Sequence, residues 1–193
     1  MTERPDRSAE RQPVRQFDQR LFFAAYPDAA ACHAIAKIDA ELRAEHGLLG
    51  PSLAGRLHVT LHFLGDYESG AYEDVAARAQ RAGSLVAGRP FTARFDHVIS
   101  LPRSRRSPVV LRGGDNVPLV EFQRSLAAAM IEAGLLERIN LKFNPLITLL
   151  YDDRTVPEKA VTPVEWTVRE FFLVRSVLGE GRHIIAARWA LVG

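Results

Sequence analysis

The sequence predicts an α+β protein of two similar lobes, each a mostly antiparallel sheet with helices on its outer face, the open faces enclosing a central cleft. Three observations carry this. Two phrases, "LHVTLHFLG" (57–65) and "PLITLLYD" (145–152), share an alternating stretch that includes Thr-Leu. A strand pattern and a long helical pattern precede each, so the order strand, long helix, motif strand occurs twice. The matched positions 58 and 146 lie 88 residues apart (146 − 58).

The elements follow in order. Residues 18–25, "DQRLFFAA", form a first strand. A helix over 27–47 starts at Pro27 and Asp28, repeats Ala31, Ile35, Ile38 and Leu42 on one face, and ends at Gly47. After the first motif strand, a short helix covers 69–83, with Gly83 as its stop. "PFTARFDHVISL" (90–101) and "PVVLRG" (108–113) are two strands joined by the loop "PRSRRS". A second long helix follows Asp115; Leu119, Phe122, Leu126, Met130 and Ala133 form its apolar stripe and Gly134 closes it. The second motif strand comes next. The tail gives "WTVREFFLVRSVL" and "RHIIAARWALV", two strands around a turn at Gly179-Glu180-Gly181. Residues 1–16 mix Arg4, Arg7, Arg11 and Arg15 with Glu3, Asp6 and Glu10 and are expected to be a disordered arm before a single bilobal domain over 17–193.

Composition narrows the class. The 193 residues suffice for one domain, or for two small lobes sharing one core. A content of 47% hydrophobic and 25% charged residues is ordinary for a soluble globular chain. No apolar run approaches the roughly 20 residues that span a bilayer, and the acidic residues near the start argue against a transit peptide. The single cysteine, Cys32, excludes an internal disulfide and fits a reducing cytoplasm; within its helical pattern it reads as buried and inert. A net charge of +2 is a weak pointer to nucleic acid. The basic residues are nearly all arginine, which suits bidentate phosphate contacts but also follows from a GC-rich genome. The chain has no Gly-x-Ser-x-Gly elbow, no phosphate loop ending in Lys-Ser/Thr, no His-Glu-x-x-His and no metal-ligand spacing of Cys and His.

The chemistry sits in the two phrases. Side chains at i and i+2 of a strand point the same way. His58 and Thr60 therefore share one face, and Leu57, Val59 and Leu61 fill the other. An imidazole shuttles protons near neutral pH, and a threonine hydroxyl donates to a phosphate oxygen. Thr148 repeats the hydroxyl in the second phrase, but beside it stands Leu146.

These residues carry a resemblance to the 2H phosphoesterase superfamily, and within it to the bacterial 2′-5′ RNA ligase-like group, also called RNA 2′,3′-cyclic phosphodiesterases. It runs from about Arg20 to Gly193. "RLFFAAYPD" is similar to the family's opening strand and "LHVTLHFLGD" to its first His-x-Thr-Leu motif. "FNPLITLLYD" is similar to its second motif except at the histidine, and "REFFLVRSVL" followed by "RWALV" to its closing hairpin. The resemblance implies acid–base catalysis with no metal and no other cofactor. One histidine deprotonates the attacking water, the other protonates the departing ribose oxygen, and the two threonines hold the phosphate. His58 matches the first histidine, cast as the general acid. Leu146 stands at the second, the expected base, and cannot accept a proton. The implied partner is an RNA terminus or nucleotide with a 2′,3′-cyclic phosphate or a 2′-5′ linkage; the cysteine content and short apolar runs place the expected setting in the cytoplasm with no membrane partner, and the oligomeric state is open, with a monomer expected.

The catalytic candidates are thus His58, Thr60 and Thr148, with Leu146 marking the missing base. Phe63, Arg105, Arg106 and Tyr151 are the candidate substrate-binding residues. Arg105 and Arg106, with Arg103, sit in the "PRSRRS" loop, which either tracks an RNA backbone or is a solvated hairpin tip. Phe63 is a candidate base-stacking ring, although strict alternation turns it away from His58 into the core. Tyr151, where many relatives carry arginine, is likewise turned away from Thr148 in a regular strand. His62, on the His58 face but about 13 Å along it, is expected to be solvated. His33, His46, His97 and His183 have no partner phrase and are expected to be structural. Two functions remain: a 2′,3′-cyclic phosphodiesterase impaired at Leu146, and a non-catalytic module that binds a nucleotide or RNA end.

Overall fold

The computed structural model describes residues 17–103, 105–114 and 116–192; the arm expected over 1–16 lies outside them. The described chain forms strands β1 (Gln19–Ala25), β2 (Val59–Tyr67), β3 (Phe91–Ser100), β4 (Ser107–Arg112), β5 (Leu146–Asp152), β6 (Lys159–Val168), β7 (Glu170–Val177) and β8 (Arg182–Ala190). Its three α-helices are α1 (Ala29–His46), α2 (Glu73–Leu85) and α3 (Val117–Glu132). The strands make one sheet in the order β6-β3-β4-β5-β2-β1-β7-β8, with antiparallel pairing throughout.

That order is a palindrome of two four-stranded halves. β5 corresponds to β2, β4 to β1, β3 to β7 and β6 to β8. The halves meet at one residue pair, Val59 opposite Ile147. These positions are themselves 88 apart (147 − 59), so equivalent residues face each other and a pseudo-twofold axis passes between them. Beyond this pair β2 and β5 splay, and the segment before β2 fills the gap: Ser52 bridges to Leu150, and Leu53 N–H donates to Leu149 O at 2.8 Å. The splay opens the cleft.

Local rules explain most boundaries. Asp28 caps α1, its carboxylate accepting from Ala31 N–H at 2.8 Å, and Gly47 ends it at φ 63°, a conformation that favours glycine. α2 continues past Gly83 to Leu85. Gly83 serves contact rather than termination, since a Cβ there would stand 2.4 Å from the Trp189 ring of β8. The tail also departs from expectation. "WTVREFFLVRSVL" is not one strand but the end of β6 and the whole of β7, broken at Arg169. β6 begins at Lys159, in a polar run containing Pro163, because it is the edge strand beside β3, where proline breaks no ladder.

The halves share one core. Phe23, Phe171 and Leu173 of one half, Phe95, Val109 and Leu150 of the other, and Ile35, Ala79 and Leu126 of the three helices belong to a single buried cluster. A second small cluster, Phe22, Ala24 and Val174 with Tyr26 and Phe172 against it, lies apart and underlies the cleft.

Candidate functional site

His58 and Thr60 flank Val59, and Leu146 and Thr148 flank Ile147, in the one residue pair that joins the halves. All four belong to one face. A cleft of about 400 Å³ opens there, with His58, Thr60 and Phe63 from the first phrase and Thr148 and Tyr151 from the second in its wall. Leu146 opens β5 half-buried, opposite Arg112, and does not line the cavity.

Two β-bulges decide which aromatic rings reach the cleft. In the β1–β2 ladder Phe23 pairs with His62 and Ala24 with Thr60, which skips Leu61. In the β4–β5 ladder Val109 pairs with Leu150 and Val110 with Thr148, which skips Leu149. Leu61 and Leu149 are equivalent (149 − 61 = 88), so the duplication includes the bulge. An inserted residue reverses alternation beyond it. Phe63 and Tyr151, placed in the core by strict alternation, are 49% and 38% exposed and line the cleft. His62, expected in solvent, is instead buried at 2% exposure, its Nε2–H donating to the Gln123 carbonyl of α3 at 3.0 Å.

His58 is fixed on all sides. Its Nδ1–H donates to the Arg56 carbonyl at 2.6 Å, which leaves Nε2 for the cleft. Its ring packs against Phe22 at 5.1 Å and edge-on against His183 at 5.0 Å. Burial pushes its pKa below the ordinary value; the bond to the Arg56 carbonyl acts the other way and the Arg56 charge adds to the lowering.

The sequence reading missed His183, Tyr26 and Arg56. Expected to be structural, His183 lines the same cleft from β8 and shares a hydrogen bond of 3.0 Å with Tyr26 Oη. Burial first, then the neighbouring His58 and Arg56, lower His183 to about 4, and burial raises the Tyr26 phenol to about 12. His183 meets His58 although β1 and β7 separate β8 from β2 in the sheet, and no local pattern announces that contact. Arg56 closes a short 3₁₀ turn (Ala54–Arg56) ahead of β2, so strand parity does not announce it either. Beyond His183 a second hollow of about 580 Å³ is walled by Tyr26, Phe172 and Ile185.

The basic loop lies outside the cavity wall. Arg105 is exposed, and Arg106, at φ 28°, donates from Nη2 to the Tyr151 carbonyl at 3.1 Å, tying the loop to β5. Arg20 does line the cleft, with Nε and Nη2 donating to the two Asp66 oxygens at 2.7 and 2.8 Å. Its guanidinium lies 5.3 Å above the Phe63 ring. Cys32 is half-buried and burial raises its thiol pKa. Among the described residues no helix is long and apolar enough to cross a membrane.

The site is thus a cleft in a palindromic antiparallel sheet, with a Thr-x-x-aromatic strand from each half in its wall. The family model for the 2′-5′ RNA ligase superfamily matches residues 27–180, and the chain belongs to that superfamily. Among solved structures, E. coli LigT in apo form aligns at 27% identity and TM-score 0.68, covering 92% of this chain and all of LigT. LigT complexed with 3′-AMP aligns at 28% and 0.65 over the same shares, and LigT has also been solved with NADP+, ATP and phosphate. A protein described as a phosphoesterase aligns at 30% identity and TM-score 0.65, covering 91% of this chain and 99% of its own. No curated protein matches the chain.

Proposed function

We propose that the chain is an RNA or nucleotide 2′,3′-cyclic phosphodiesterase whose turnover is impaired because Leu146 stands where the second imidazole belongs. The observation that carries this is the placement of His58, with Nε2 left for the cleft, beside Thr60 and Thr148 on equivalent strands that meet at a pseudo-twofold pair. The threonine hydroxyls bracket the phosphate. His58, protonated, gives its Nε2 proton to the ribose oxygen as the P–O bond breaks. The attacking water loses its proton to solvent, since position 146 offers no acceptor. The nucleotide complexes of the similar LigT structures support a nucleotide as the ligand class.

A positioned acid or base contributes about 10²- to 10⁴-fold, and groups acting as a unit lose most of their effect together. Hydrolysis of a 2′,3′-cyclic nucleotide is the test, with the chain as it stands, Leu146→His and His58→Ala. Leu146→His is expected to raise kcat by about 10²-fold or more, and His58→Ala to lower an already slow rate only modestly. High activity in the unaltered chain would refute the impairment. The second reading, a module that holds a nucleotide or RNA end without cleaving it, is favoured by Leu146 itself. No gain with Leu146→His, alongside measurable nucleotide affinity, would select it.

A further inference from the structure

We propose that Arg56 is the cation that holds the phosphate in this cleft, and that the phosphate binds together with one proton, which His58 keeps. The inference rests on reading the cleft as a phosphate site; it adds the group that binds and the proton that binds with it.

Two guanidinium groups line the cavity. Arg20 is committed, both of its donating edges resting on Asp66. Arg56 takes part in none of the ion pairs among the described residues. Its backbone carbonyl anchors the His58 ring, and its guanidinium lies against the β7–β8 turn, where a Cβ on Gly181 would stand 3.0 Å from Nη1. Arg56 and Gly181 thus line the same hollow as Thr60 and Thr148. Threonine hydroxyls are neutral donors, and a desolvated anion needs an opposite charge. Arg56 supplies it, in a planar fork suited to two phosphate oxygens.

The proton follows from the same arrangement. His58 Nδ1 is committed to the Arg56 carbonyl, so only Nε2 can gain a proton. In the empty cleft, burial and the Arg56 charge both oppose that gain. A phosphate reverses both influences, for it neutralises Arg56 and favours an imidazolium beside it. The rings of Phe22 in β1, Tyr26 just after it and His183 of β8 face His58, and the titratable groups Arg20, Arg56 and Tyr151 share its cavity wall. In the empty cleft Tyr26 keeps its proton at neutral pH and burial, ahead of the His58 and Arg56 charges, keeps His183 from a second one, with its Nδ1 already engaged by Tyr26 Oη; Arg20 is balanced by Asp66. His58 is left as the group that changes charge. Affinity is therefore highest below the empty-cleft pKa of His58, falls as pH rises toward its pKa in the complex, and levels off above that.

The experiment measures the affinity of thymidylyl-(3′→5′)-thymidine by calorimetry between about pH 5 and pH 8, the span in which an imidazole titrates. This diester keeps one charge throughout and lacks the 2′-hydroxyl, so any proton taken up belongs to the protein. The chain as it stands should lose up to about tenfold in affinity per pH unit through the window, the slope of one linked proton. Arg56→Gln should weaken binding about 10- to 100-fold at every pH, the scale of a lost charge-assisted hydrogen bond, with Arg56→Lys between the two. His58→Ala should flatten the pH dependence, and His183→Ala should leave its slope in place. Unchanged affinity in Arg56→Gln, a wild-type affinity indifferent to pH, or no binding of the diester would overturn the inference. A chain that hydrolyses cyclic phosphates yet binds the diester without a proton keeps the proposed activity and loses this inference. One that binds as described without hydrolysing does the reverse.

Discussion

His58 and Leu146 hold equivalent places about the Val59–Ile147 pair, so one substitution separates a two-imidazole site from this one. In the proposed mechanism His183 is no substitute for a second imidazole: it belongs to the half-sheet of His58 and packs against that ring at 5.0 Å, whereas position 146 lies in the other half. Phe63 and Tyr151 are the other equivalent pair (151 − 63 = 88), one ring from each half. Base–aromatic stacking is worth about 1–3 kcal/mol per base. Phe63→Ala and Tyr151→Ala should each raise KM for an oligonucleotide ending in a cyclic phosphate by about fivefold to 100-fold on that scale, with kcat little changed. Equal KM values in both variants and the parent would remove the rings from the site. The phrases themselves showed His58, Thr60 and Thr148, because strand parity is a local rule. They did not show His183, which reaches His58 from a strand three places away in the sheet.

At the scale of elements, the bulges at Leu61 and Leu149 separate what the sequence showed from what it hid. The motif strands, the three helices and the hairpin at Gly179–Gly181 were legible as periodicity and turn chemistry. A bulge leaves no such mark, for "TLHF" and "TLLY" read as well without one, and Phe63, Tyr151 and His62 were therefore assigned to the wrong faces. β6 was hidden for a related reason, since an edge strand can be polar and carry proline. The loop that brings Leu53 and Arg56 to the cleft is held by Asp152 at the end of β5. This buried carboxylate accepts from Arg154 N–H at 2.9 Å and from Leu49 and Gly50 N–H at 2.6 Å each. Those bonds, Arg154 foremost, lower its pKa against the opposing pull of burial. A depressed carboxyl stabilises the fold above its unfolded pKa, and that contribution disappears as pH falls through the folded value. Asp152→Ala should cost about 2–3 kcal/mol at neutral pH, with the gap to the parent narrowing below about pH 4. A gap that stays constant in acid would show that the carboxylate charge is not what matters.

The molecule as a whole is two half-sheets on one core, so the halves are expected to unfold together. Trp166 of β6 and Trp189 of β8 lie at opposite ends of the sheet, and each packs on the shared core cluster or belongs to it. In urea, Trp166→Phe and Trp189→Phe, each followed by its remaining tryptophan, should give a single transition that coincides with loss of helix by circular dichroism. Separate transitions would mean that the halves fold independently. The most direct test of the central claim is a crystal structure with inorganic phosphate bound. The account predicts one phosphate within about 2.5–3.0 Å of both the Thr60 and Thr148 hydroxyl oxygens. A phosphate held by only one half, or seated in the hollow beyond His183, would contradict it.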